Sequence, residues 1–78
     1  MSNVKRIRPL TELSAGDTAT VARVKLPEPE ANRLQDLGLR CGVAVRVQQN
    51  DRNMPLLVAV GDGRIAVNAD SARGIYVF

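Results

Sequence analysis

Leu56-Leu57-Val58-Ala59-Val60-Gly61-Asp62-Gly63-Arg64-Ile65-Ala66-Val67-Asn68 decides the fold class of this chain. Five apolar residues run into a Gly-Asp-Gly turn, and the chain returns with Ile65 and Val67 alternating against Arg64 and Ala66. That pattern is a β-hairpin. Pro55 stands at the opening of the first arm, a position where a missing N–H does no harm. Gly61-Asp62-Gly63 is not a phosphate cradle, because the helix and lysine that a nucleotide-binding loop requires do not follow it.

Working outward, Val43-Ala44-Val45-Arg46-Val47 alternates again, with the three valines on one face. Gln49 to Asn53 is a polar loop between the two strand patterns. Further upstream, Thr18 to Leu26 reads as a strand whose phase slips near Ala22-Arg23, as at a β-bulge. Leu10 to Asp17 reads as a one-turn bend with Thr11 as cap, Gly16 as exit, and Leu10 and Leu13 as anchors. Pro27 and Pro29 end the first strand, and Pro29 suits the first turn of a helix. Ala31, Leu34 and Leu37 then recur three apart, so Glu30 to Gly38 is predicted to be helical with Gly38 as its left-handed exit. Asn68 to Ala72 suggests a helical turn, and Ile75 to Phe78 alternates as a last strand. In that strand Tyr76 and Phe78 share one phase and Ile75 and Val77 the other.

These elements predict a mostly β domain: a small SH3-like β-barrel of about five strands, with one short helix after the first strand. An OB-fold is the nearest competitor, but it places its helix between the third and fourth strands. With 78 residues the chain fits a single domain spanning 1–78, since so short a chain buries only about 60% of its unfolded surface. Residues 1–8, with Lys5, Arg6 and Arg8, are expected to form a flexible basic arm. Apolar residues make up 45% and aromatic ones 3%, so the core has to be built from Val, Leu, Ile and Ala.

The longest apolar run, Leu56 to Val60, is far below the roughly 20 residues a membrane span needs. No secretory signal pattern follows the basic N-terminus, and the single cysteine, Cys41, cannot close an intramolecular disulfide. Both features point to a cytoplasmic location without direct membrane insertion. The formal charge of +3 is spread along the chain rather than gathered into a patch, so no nucleic-acid partner is expected.

Catalysis finds little to work with: there is no histidine, no serine in a recognisable nucleophile setting and no paired acids in a predicted cleft. The chain reads as a non-enzyme with no cofactor and no metal site, Cys41 being an incidental thiol. Glu28, Glu30 and Asp36 read as helix-flanking acids rather than iron ligands. Arg33, Leu37, Leu39 and Arg40, around the helix exit, form the candidate partner-docking set. Within it the arginines are interface anchors. Leu34, Leu37 and Gly38 read first as packing of the helix on the barrel, whereas Leu39, beyond the cap, is expected to stay partly exposed.

Leu10-Thr11-Glu12-Leu13 with Gly16-Asp17, then Arg33-Leu34-Gln35-Asp36-Leu37-Gly38-Leu39-Arg40 with Gly42, Pro55-Leu56, Ile65-Ala66-Val67 and Ala72…Ile75-Tyr76-Val77 together resemble the FeoA family of ferrous-iron-transport accessory proteins. The resemblance runs through essentially the whole chain. It implies an SH3-like barrel, a cytosolic location and a role assisting the FeoB-type ferrous iron permease by docking on its cytosolic GTPase region. One departure is Cys41 before Gly42, where the family usually has proline. The same fold forms the C-terminal domain of metal-dependent repressors, so an SH3-like regulatory or nucleic-acid-binding module is the alternative. Direct iron carriage is a third reading. An exposed terminal strand would also permit self-association.

Overall fold

The computed structural model describes residues 6–78, so most of the expected basic arm, residues 1–5, lies outside the described residues. Arg8 does not belong to an arm: Arg8–Pro9 form a short strand, β1, paired antiparallel with the last strand. A 3-10 turn at Leu10–Glu12 follows, then β2 (Thr18–Val24), α1 (Glu28–Asp36), β3 (Ala44–Gln49), β4 (Leu56–Val60), β5 (Gly63–Val67), a four-residue helix α2 (Ala69–Ala72) and β6 (Ile75–Val77). The six strands form one sheet in the order β1-β6-β2-β3-β4-β5. This is the SH3-like architecture expected, with β1 as a sixth strand.

β2 belongs to two halves of the sheet. Thr18 to Thr20 pair with β3, and Val21 to Val24 pair with β6, with the register shifting between Val21 and Arg23. A bulge bends and further twists its strand, which lets one strand turn the sheet back over its own core. The slip of phase near Ala22-Arg23 is this bulge, although the strand ends at Val24 rather than Leu26.

Alternation decides the core. Val45 and Val47 of β3, Leu56, Val58 and Val60 of β4, Ile65 and Val67 of β5, and Ile75 and Val77 of β6 all point inward and are buried. Leu10, Leu13, Leu34 and Leu39, from outside these strands, join the same buried cluster. Every buried core side chain is Leu, Val, Ile or Ala; Tyr76 is only partly covered, and Phe78 is 37% exposed. β6 is not an edge, since it lies between β1 and β2. The inference that the terminal strand is exposed for self-association therefore fails: the two-residue β1 covers it.

Thr11 does not cap the first turn. Pro9 is its N-cap residue, without a side-chain hydrogen bond. The turn is instead held by Asn50, just after β3, whose Nδ2 donates to the carbonyls of Thr11 at 3.2 Å and Leu13 at 2.6 Å. One amide thus satisfies two carbonyls that sit beside buried Leu10 and Leu13. Leaving partly buried acceptors unpaired costs about 1–3 kcal/mol. Asn50→Ala is accordingly expected to lower stability by about that amount in urea unfolding, and more than Gln48→Ala, an exposed strand position.

Candidate docking surface at the exit of the helix

α1 begins two residues earlier than the spacing suggested, with Pro27 as N-cap residue and Pro29 in the first turn. Its exit has a specific geometry. Leu37 is the C-cap residue, Gly38 follows at φ 101°, the Gly38 N–H donates to the Gln35 carbonyl at 2.9 Å, and the Leu39 N–H donates to the Leu34 carbonyl at 2.9 Å. These two bonds define a Schellman cap, in which the residue after the glycine packs on the one that heads the last turn. Leu39 and Leu34 are those residues, 1% and 0% exposed.

The cap reverses the expected roles of two leucines. Leu39 is core, not surface, because the left-handed Gly38 folds the chain back under the helix. Leu37, which the threefold spacing placed on the packed face, is 51% exposed. Leu37 keeps αR dihedrals and its N–H still donates to the Arg33 carbonyl at 3.2 Å, but a three-residue spacing falls about 60° short of a full turn at each step, so Leu37 has rotated away from the face of Ala31. Of the four residues in the sequence-derived set, Arg33, Leu37 and Arg40 share the surface and Leu39 supports it from below.

Arg33 is already engaged. Its Nε donates to Glu30 Oε1 at 2.9 Å and its Nη2 to Glu30 Oε2 at 3.1 Å, while Ser71 Oγ on α2 donates to Glu30 Oε2 at 2.9 Å. The hydrogen bonds from Arg33, then from Ser71, hold the Glu30 carboxyl below the usual carboxylate range. This arrangement ties α1 to α2 across 41 residues of sequence, and no local pattern signals Ser71 as a participant. Arg40 by contrast is exposed and makes no side-chain hydrogen bond or ion pair with the described residues.

Beyond Arg40 the chain makes a four-residue turn closed by the Val43 N–H donating to the Arg40 carbonyl at 3.2 Å. Gly42 takes φ 90° while Cys41 keeps a negative φ, the signature of a type II turn with Cys41 at its second position. Cys41 is an exposed free thiol. Among the described residues no group of three His, Cys, Asp or Glu side chains is arranged to hold a metal ion, and no helix is long and apolar enough to cross a membrane. Two open grooves lie away from the helix-exit residues. One, of about 650 Å³, runs beside Asn50, Arg52, Asn68 and Arg73; the other, of about 350 Å³, lies at the bulge between Arg23, Lys25 and Tyr76.

The single six-stranded sheet with one short helix defines the chain as a small SH3-like β domain. The FeoA domain pattern matches residues 8–77, and the chain belongs to the FeoA family. Among solved structures it is similar to an iron uptake regulatory protein, FeoA, at 25% identity over 92% of this chain and 96% of the other, with a TM-score of 0.85. It is also similar to the FeoA of Stenotrophomonas maltophilia complexed with zinc, described as a prokaryotic SH3 domain protein, at 33% identity over 90% and 88% of the two chains and a TM-score of 0.76. A manganese-dependent transcriptional repressor shares the fold at 25% identity and a TM-score of 0.81, this chain covering 42% of its length. No curated protein matches the sequence. Family membership supports an accessory, generally non-catalytic role in ferrous iron transport.

Two outcomes are expected from this geometry. Proline at position 41 suits the second position of a type II turn, and the Cys41 N–H donates to no described backbone acceptor. Cys41→Pro should therefore raise stability by about 0.4–1 kcal/mol in denaturant unfolding, through lower entropy of the unfolded chain. Glu30 has a folded-state pKa below its unfolded value, so its contribution is complete above the unfolded pKa of about 4.3 and is lost as pH falls through the folded value. Thermal unfolding between pH 6 and pH 3 should show a smaller loss of Tm for Glu30→Gln than for the wild type; equal slopes would disconnect Glu30 from the acid limb.

Proposed function

We propose that this protein is a cytoplasmic, non-catalytic accessory protein of ferrous iron uptake that docks on the cytosolic GTPase region of a FeoB-type permease and modulates transport. The observation that carries the reading is the match of the FeoA domain over residues 8–77, joined to a TM-score of 0.85 with a FeoA structure. Leu37 and Arg40 are the contact residues, with Arg33 alongside, held by Glu30. A half-exposed apolar side chain and, three residues further on, an unengaged guanidinium have the composition of an interface centre, where arginine is enriched and a desolvated apolar anchor contributes most. Leu39 acts only through the cap that presents Leu37.

A regulatory or nucleic-acid-binding role is the second reading, favoured by the similarity to the manganese-dependent repressor. Salt-dependent DNA or RNA binding at physiological ionic strength is its mark.

Calorimetric titration of the protein into the soluble GTPase domain of the permease from the same organism, with and without nucleotide, tests the docking. Saturable binding is expected, with Leu37→Ala and Arg40→Ala each weakening it by about tenfold, the scale of one interface anchor. Binding unaffected by both substitutions would remove the helix exit from the interface, and no binding to that domain would overturn the docking reading.

A further inference from the structure

The sheet has one free edge with an ordered row of backbone groups. β5 pairs with β4 alone. Its turn from β4 holds two residues, Gly61 and Asp62, between the paired Val60 and Gly63. In a two-residue hairpin the flanking pair exchanges both hydrogen bonds, and bonded and non-bonded pairs then alternate. Gly63, Ile65 and Val67 therefore turn their N–H and C=O groups toward β4, and Arg64 and Ala66 turn theirs away. Both residues are exposed, and their outward backbone groups bond to no other described residue. The opposite edge, β1, is two residues long and one of them is Pro9, which has no N–H. One edge is thus blunted and the other is not.

We propose that β5 accepts an extended segment of a partner protein as an added antiparallel strand, and that the segment alternates acidic and apolar residues. Ile65 and Val67 face the core at 5% and 0% exposure, so the inward side chains of an added strand take the same side as these apolar residues, at the margin of the core. On the outer face Arg64 lies across from Ala59, and Ala59 from Arg46, so the outward side chains meet positive charge. Cross-strand pairs favour opposite charges and penalise like ones. A second copy of this chain brings the same Arg64 and the same formal charge of +3, which disfavours self-pairing while leaving the edge open to an acidic strand. The outward backbone of Arg64 and Ala66 involves none of the helix-exit residues Arg33, Leu37 and Arg40, and neither reading depends on the other.

The test uses the isotopically labelled full chain and a synthetic ten-residue peptide alternating glutamate and valine, with the lysine-valine peptide as control. Amide hydrogen exchange at Arg64 and Ala66 should slow by about tenfold at a free peptide concentration ten times its Kd, and should not change with the lysine peptide. Ala66→Pro removes one outward N–H at a position where an edge strand accepts proline, and should abolish the protection at Arg64. Arg64→Glu keeps the backbone and should transfer the preference to the lysine peptide, so the proposal stands or falls even if the proline variant does not fold. Three results overturn it: no slowing at these amides, slowing that rises with protein concentration in the absence of peptide, or protection confined to the α1 exit.

Discussion

The turn of chain at Gly38 governs how the one substantial helix meets the sheet. A left-handed residue there lets Leu39 drop beneath α1 onto Leu34, and both leave water almost completely. Burying a leucine is worth about 1.5–3 kcal/mol, so the pair outweighs the weak intrinsic helicity of a nine-residue segment. A Cβ at Gly38 would meet Val60 at 3.6 Å, which places the helix exit over the last residue of β4.

A core built without aromatic rings is thin, and the elements at its margins are held by polar groups instead. Asn50 bridges from the loop after β3 to the first turn, and Glu30 bridges from α1 to α2 through Ser71. Each brings together segments far apart in sequence, and none of the described buried side-chain polar atoms lacks a partner. The bulge in β2 has the same organising role for the backbone: it lets a single strand serve both halves of the sheet. A small domain with little apolar area in reserve depends on such links more than a large one does.

Local pattern reached far into this structure where the physics is local. Strand alternation in 43–47 and 64–67 named Val45, Val47, Ile65 and Val67 correctly as inward, because side-chain direction in a strand reverses at every residue, whereas Val43 is only partly buried and the continuous apolar run 56–60 gave no inward set. The hairpin and the left-handed Gly38 were likewise legible, since each rests on backbone freedom that few residues possess, although Gly63, read as part of the turn, is the first residue of β5. The helix exit was read only in part. Threefold spacing assigned Leu37 to the core and position beyond the cap assigned Leu39 to solvent, and the structure exchanges the two: a three-residue spacing drifts by about 60° per step on a helix of 3.6 residues per turn, and the left-handed Gly38 turns Leu39 back under the helix.

Composition, alternation and turn chemistry therefore determined by themselves a small, aromatic-poor, mostly β domain with one short helix, and the run of residues from Leu10 to Val77 determined its family resemblance. Tertiary structure alone decided which strand is an edge, which leucine meets water, and that Asn50 and Ser71 matter. The reason is physical: β1 covers β6 from nearly the full length of the chain away, and Asn50 and Ser71 find their partners across 37 to 41 residues. A hydrogen bond between such distant groups leaves no periodic trace, because it depends only on where the finished fold places them.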